Sequence, residues 1–305
     1  MPTARPSPSG AGPALPEPPM PLTTLVSTAD LEAHLGDAGW VVFDCRHALT
    51  DLEAGARAYA AGHIPGARFA PMETALSGPK NPGTGRHPLP DWGVFVRWLA
   101  AQGVSRGAQV IAYDDRSGST ASRLWWMLRT LGHEAVAVLD GGFTAWSAEG
   151  RPVDDAVPAP APGDFAGSPR CGAWLELPAL LEAMAAPGTT LIDARDPDRF
   201  AGRTEPIDPA AGHIPGARNL PLTGNLGPDG RFLLPEALRA RFLDKLGAGG
   251  VAGAVHYCGS GVSACHNMLA MAVAGLEPGR LYPGSWSQWC ADPARPQATG
   301  PDGEA

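Results

Sequence analysis

A twelve-residue phrase occurs twice in this chain: AAGHIPGARFAP around His63 returns as AAGHIPGARNLP around His213, an offset of 213 − 63 = 150. Three more pairs follow in the same order. VVFDCR (Asp44, Arg46) matches LIDAR (Asp193, Arg195), VIAYDD (Tyr113, Asp114) matches AVHYCG (Tyr257, Cys258), and GGFTAW (141–146) matches GSWSQW (284–289). The offsets run from 143 to 150, far longer than a solenoid unit, so the sequence encodes one domain twice. Whatever architecture the first half adopts, the second must build again.

Within each copy, short β-rich runs alternate with helical patterns. VVFD, QVIAY, LID and GAVHY read as buried strands. TASRLWWMLRTLG and SACHNMLAMAVAGL read as helices ending near a glycine, with DWGVFVRWLAAQG and PEALRARFLDKLG between the strands. Strand–helix alternation predicts an α/β fold in which each domain is a parallel sheet flanked by helices, its ligands bound beyond the carboxyl ends of the strands. The expected boundaries are a disordered Pro-rich tail over 1–21, a first domain over 22–152, a Pro/Ala/Gly-rich linker over 153–170 and a second domain over 171–305.

Composition excludes several functions. With 23 basic and 31 acidic residues the net charge is −8, which disfavours nucleic acid as a partner. No run of about 18 apolar residues is present to span a membrane, and the N-terminus lacks a secretory apolar core. Five thinly spread cysteines do not form a disulfide framework and fit a reducing, cytoplasmic setting.

The informative difference between the copies falls just after the third matched strand. In AVHYCGSGVSACHNM, Cys258 sits between a strand end and a helix start, inside a turn with Gly259, Ser260, Gly261, Val262 and Ser263. Such glycines let the backbone curl so that N–H groups and the helix N-terminus face the sulfur, favouring the thiolate, the form that acts as nucleophile. The first copy carries Asp114 in that slot, in a loop about three residues longer, and reads as chemically retired. A Cys-x5-Arg phosphatase is excluded because Ala264 occupies the arginine slot. Cys258, Cys265 and His266 match no common zinc spacing, so no metal site is expected.

Two D-x-R motifs each followed by GHIPGA, one CGSGVSA loop and the closing GSWSQW resemble the tandem-domain rhodanese and 3-mercaptopyruvate sulfurtransferase family over about residues 22–296. The resemblance implies two rhodanese-like domains, the first silent and the second catalytic, with the site facing the cleft between them. It implies that Cys258 takes a sulfane sulfur as a persulfide and passes it to cyanide, a thiol or a thioredoxin-like acceptor, with no cofactor. A non-catalytic binding module and a persulfide relay between proteins are the alternatives. The six-residue loop from Cys258 to Ser263 has the length of the family's sulfurtransferases rather than its phosphatases.

The same resemblance bears on the donor. A loop without cations beside the cysteine resembles the mercaptopyruvate type, whereas thiosulfate-type loops resemble CRKGVT. Catalytic candidates are then Cys258, Ser260 and His63, the last assisted by Asp51 or Glu53 from the first domain. Substrate-binding candidates are Arg199, matching the family's arginine after D-x-R, with Gly259, Gly261, Val262 and Ser263. The family's second arginine is missing from Thr204–Pro209, and Arg203 is the candidate replacement. Arg46 and Arg195 read as structural, Trp286 as a candidate wall of the site, and Arg86 and His87 as part of a solvated Gly/Pro-rich loop.

Overall fold

The structure, a computed structural model, describes residues 20–81 and 83–301. All but the last two residues of the expected N-terminal tail lie outside that range. The first half contributes β1 (Leu25–Val26), α1 (Thr28–Ala33), β2 (Trp40–Asp44), α2 (Ala54–Ala61), β3 (Arg68–Phe69), α3 (Trp92–Ala101), β4 (Gln109–Tyr113), α4 (Ala121–Thr130), β5 (Val136–Leu139) and α5 (Gly142–Ala148). The second contributes α6 (Leu177–Ala185), β6 (Thr190–Asp193), α7 (Pro197–Phe200), β7 (Arg218–Asn219), α8 (Pro235–Leu246), β8 (Ala254–Tyr257), α9 (Ala264–Val273), β9 (Arg280–Leu281) and α10 (Ser285–Trp289).

Both sheets are parallel, in the orders β1-β5-β4-β2-β3 and β9-β8-β6-β7. They have the same topology, since β2, β3, β4 and β5 correspond to β6, β7, β8 and β9. The second sheet's equivalent of β1 has shrunk to a single parallel bridge between Trp174 and Leu281. Central strands are buried along their whole length, as expected where helices cover both faces. Gly132 and Gly275, at φ 85° and 66°, follow the ends of α4 and α9 and stop them as the sequence predicts.

Register does the work that positions chemistry. Asp44 pairs with Tyr113 across β2 and β4, and Asp193 with Tyr257 across β6 and β8, so each D-x-R turn lies beside the loop leaving the central strand. Arg46 and Arg195 fold back on Asp44 and Asp193 at 2.6 and 2.7 Å and donate to the Gly62 and Gly212 carbonyls. They are the structural ties the sequence suggests.

The two halves share one apolar core. Leu76, Leu124, Trp126 and Met127 of the first half pack in the same buried cluster as Val262, Cys265, Met268 and Leu269 of the second. Burial of each large side chain there contributes about 1.5–3 kcal/mol. Residues 153–170 carry no helix and follow the first half closely, with Gly163, Phe165 and Arg170 donating backbone N–H bonds to Ala100, Val104 and Thr130. Among the described residues, no helix is long and apolar enough to cross a membrane.

Candidate active site

Cys258 is the first residue beyond β8 and is 3% exposed. Its backbone is held at both ends: its N–H donates to Ser285 Oγ at 3.1 Å and its carbonyl accepts from Trp286 N–H at 3.0 Å. Gly259 accepts from Ser287 N–H at 3.0 Å. The loop then turns back so that Gly261 N–H donates to Cys258 Sγ at 3.2 Å. This turn requires glycine, because Gly261 has φ +76° and a Cβ there would lie 2.5 Å from the Pro283 carbonyl. Ser285 is a contributor that sequence reasoning missed. It is buried at φ 54°, where the first half has Gly142 at φ 60°, and its hydroxyl is bonded on both sides, to Tyr282 and Cys258. A serine kept at a glycine position was the available signal.

The equivalent loop of the first half holds a different anion. Asp114 Oδ1 accepts the N–H groups of Arg116 and Gly118, and Oδ2 those of Thr120 and Ala121, at 2.7–2.9 Å, with the Thr120 hydroxyl at 2.9 Å. The expectation of a loop three residues longer is corrected. Asp114–Thr120 spans seven residues and Cys258–Ser263 six, because α4 begins at Ala121 and α9 at Ala264. The helix start, not the composition of the loop, sets the length.

Ser260 does meet a histidine, but it is His87. Ser260 Oγ lies 2.8 Å from His87 Nδ1, and His87 Nε2 lies 3.0 Å from Glu73 Oε1, whose other oxygen pairs with Lys80 at 2.8 Å. The loop read as solvated is therefore docked, with His87 only 2% exposed. Burial pushes the His87 imidazole down to about 4 against the opposing pull of Glu73, so it is neutral at pH 7. Burial tends to raise Glu73, but Lys80 and His87 outweigh it and hold the carboxyl below its usual range.

The expectation for His63 is corrected on the same grounds. Its ring nitrogens face the carbonyls of Tyr59 (2.9 Å) and Ala156 (3.2 Å), it stacks on Tyr59, and its backbone pairs with Asp154. His213 repeats the arrangement with Phe200 and Ala298. Both histidines clasp the segment that leaves their own domain. Asp51 and Glu53 assist neither: Asp51 is exposed and paired with Arg57, and Glu53 is exposed at the start of α2.

Arg199 lines the cleft as expected, and its partner comes from the other half. Arg86 pairs with Asp208, Arg199 reaches Asp208 at 3.1 Å and Glu205 at 2.7 Å, and both guanidinium groups lie close to Gly259. A Cβ at Gly259 would sit 2.7 Å from Arg86 Nη2, so the glycine leaves room for this cation. Arg199 Nη1 and Arg86 Nε have no acceptor among the described residues. Arg203 does not substitute for the missing arginine. It is exposed, pairs with Asp198 and is not among the residues lining the cleft.

Cys258, Gly259, Ser260, Val262 and Ser263 line a cleft of about 750 Å³ between the halves, with Arg86, His87 and Arg199. Gly261 shapes the loop beneath. Trp286 is not a wall of the cleft: it is fully buried under Arg195 and donates to the Ala210 carbonyl. Cys265 is buried with its thiol pushed up to about 12, mainly by desolvation. His266 is bonded to Ser117 and Asn225, so both stand apart from the chemistry. Arg123, fully buried on α4, crosses the interface to donate to the Gly261 carbonyl at 3.0 Å and the His87 carbonyl at 3.3 Å, tying the loop to the His87 segment. The arrangement can hold an anionic sulfur, exchange a proton with a bound ligand and bind a carboxylate.

Comparison with known proteins agrees. The family model for the rhodanese-like domain matches residues 27–149 and again 176–292. A relative from Pseudomonas aeruginosa named "Probable 3-mercaptopyruvate sulfurtransferase" is 48% identical over 278 residues, covering 90% of this chain and 98% of the relative. The thiosulfate sulfurtransferase of Cricetulus griseus is 34% identical over 262 residues, covering 83% of each chain. The solved structure of 3-mercaptopyruvate sulfurtransferase from Leishmania major superposes with a TM-score of 0.76 at 33% identity, covering 87% of this chain and 73% of that one. A rhodanese-like domain present twice, in a chain that matches a sulfurtransferase along nearly that relative's whole length, makes this protein an enzyme of the rhodanese family, a sulfurtransferase.

Proposed function

We propose that the enzyme transfers sulfur from 3-mercaptopyruvate, and less efficiently from thiosulfate, through a Cys258 persulfide to cyanide or a thiol acceptor, including thioredoxin-like proteins. The observation that carries the donor preference is the pairing of Arg86 and Arg199 at Gly259, beside Cys258. Two adjacent guanidinium groups suit a planar carboxylate, which they bind through paired N–H bonds.

In the first half-reaction the Cys258 thiolate attacks the donor sulfur. The bond between that sulfur and C3 breaks, and its electron pair leaves with the three-carbon fragment as an enolate. Neutral His87, its Nε2–H directed at Glu73, accepts the donor thiol proton through Ser260 and returns it to the enolate carbon, giving pyruvate. The sulfur stays as an anionic persulfide cradled by the loop N–H groups. In the second half-reaction an acceptor attacks the outer sulfur, the S–S bond breaks and its electron pair restores the thiolate. With thiosulfate, sulfite leaves in place of the enolate.

At 3% exposure on the cleft floor, Cys258 is better placed for a small donor than for a protein donor. Five unpaired cysteines support a reducing, cytoplasmic setting. The test is kcat/KM for thiocyanate formation from each donor. 3-Mercaptopyruvate is expected to lead by about tenfold or more, equivalent to about 1.4 kcal/mol, and a lead for thiosulfate overturns the donor assignment. Cys258→Ser is expected to abolish turnover and the one-sulfur mass gain after donor treatment, whereas Cys265→Ser keeps both. Turnover surviving in Cys258→Ser overturns the mechanism.

A further inference from the structure

The cleft holds one more histidine, which the sulfur chemistry leaves unused. His47 follows the first D-x-R turn, lines the cleft and has its Nε2 buried with no hydrogen-bond partner. Its ring meets His87 edge-on, 5.7 Å between centroids. One ligand atom each from His47, Glu73 and His87 lie within 4.8 Å of one another, the single such group of histidine, cysteine and acidic side chains among the described residues.

We propose that these three side chains form an inhibitory site for a divalent transition-metal ion of the zinc type. Two imidazole nitrogens and one carboxylate oxygen are a common zinc set, with a fourth position left for water. Bonds of about 2.0–2.2 Å at tetrahedral angles place donor atoms about 3.4 Å apart. The Glu73–His87 separation of 3.0 Å opens by a few tenths of an ångström to reach that spacing, and the other two pairs close by at most about 1.4 Å. Lys80 occupies only Glu73 Oε2, leaving Oε1 for the ion. The half-buried His47 faces the cleft, which gives the ion its path inward.

The consequence for turnover rests on the relay proposed above. An ion on His87 Nε2 takes the position of the hydrogen shared with Glu73 and fixes the remaining ring hydrogen on Nδ1, where it points at Ser260. His87 then donates to Ser260 and no longer accepts its proton. No bond to carbon or sulfur is made or broken, so chelation reverses the inhibition.

Binding is tested apart from turnover by titrating Co²⁺ into the full-length Cys258→Ser protein, where the catalytic sulfur cannot contribute. We expect one ion per chain, visible ligand-field absorption without a thiolate-to-cobalt charge-transfer band, and an anomalous peak between the three side chains in a cobalt-soaked crystal. Adding His47→Gln is expected to weaken binding by at least about tenfold, since loss of even an outer-shell partner costs that much. His47→Gln alone is expected to keep its turnover in chelator and to need about tenfold more Zn²⁺ for half-inhibition. The absence of bound cobalt, a thiolate band, a peak elsewhere, or equal zinc sensitivity in His47→Gln and the parent overturns the proposal. Because cobalt is read on a protein without the catalytic sulfur, failure of the metal site leaves the sulfur-transfer reading standing, whereas failure of that reading leaves cobalt binding standing and removes only the inhibition.

Discussion

The loop after β4 and the loop after β8 are the same backbone device holding different occupants. In the first, four N–H groups converge on the Asp114 carboxylate, so the cradle supplies its own anion. In the second, one N–H, from Gly261, reaches the Cys258 sulfur, and the loop opens on the cleft. A filled cradle stabilises a fold, whereas one centred on a thiol leaves a reactive sulfur facing the cleft. The first half also supplies groups that meet the Cys258 loop: His87, which bonds Ser260, Glu73 behind it, and Arg86 beside Gly259.

That division of labour can be broken in order of severity. His87→Gln and Ser260→Ala should each lower kcat/KM for 3-mercaptopyruvate by about 10²–10⁴-fold, the usual range for losing proton transfer. His63→Gln should instead lower the unfolding midpoint and leave kcat of the folded enzyme near the parent value. Equal losses in kcat would restore His63 to the chemistry. Asp114→Ala strips an anion from four N–H donors and should cost about 2–4 kcal/mol in urea unfolding while sparing turnover at low temperature. Unchanged stability would mean that the first cradle does not need its carboxylate.

Arg86→Gln should raise KM for 3-mercaptopyruvate about tenfold with a smaller change in kcat, a loss of about 1.4 kcal/mol. A change confined to kcat would show that Arg86 acts on the loop and not on the donor. The last comparison concerns pH dependence. His256, in β8, stands where β4 has Ala112, each one residue before the partner of its sheet's Asp-Tyr register pair. Burial holds His256 down at about 3, and neither ring nitrogen has a partner among the described residues. The unfolded chain protonates this group near pH 6.5 and the folded chain does not. Stability is therefore fully present above about 6.5 and falls as pH drops toward 3, by about 1.4 kcal/mol per pH unit. His256→Leu should flatten the slope of unfolding free energy between pH 6.5 and 5, and an unchanged slope would assign the proton uptake to other buried histidines.

Much of this was legible in the sequence because it is local or repeated. The duplication predicts two parallel sheets, the D-x-R turns fold back within two residues, and the Cys258 loop carries its cradle in its own glycines. The contact between Ser260 and His87 was not legible for the opposite reason. Ser260 and His87 are 173 residues apart, and no periodicity links them. The repeat misled as well: His63 sits in the most visible motif, yet a motif present in both copies is a poor marker of chemistry found in one. A better sign was GRHPLP against its counterpart GRFLLP (230–235), where the second copy keeps the arginine but has Phe232 in place of His87. Arg86 was hidden likewise, since Asp208 advertises a cation but not which half provides it.

The way residues 153–170 are fastened has a mechanical consequence. Held by His63 at one end and by Ala100, Val104 and Thr130 along its length, this segment has little slack to pay out. Two halves joined by a loose tether could widen the cleft to admit a bulky guest and then settle around it. Here the tether is pinned along the first half, away from the residues that line the cleft, so it leaves little free chain for the two halves to part.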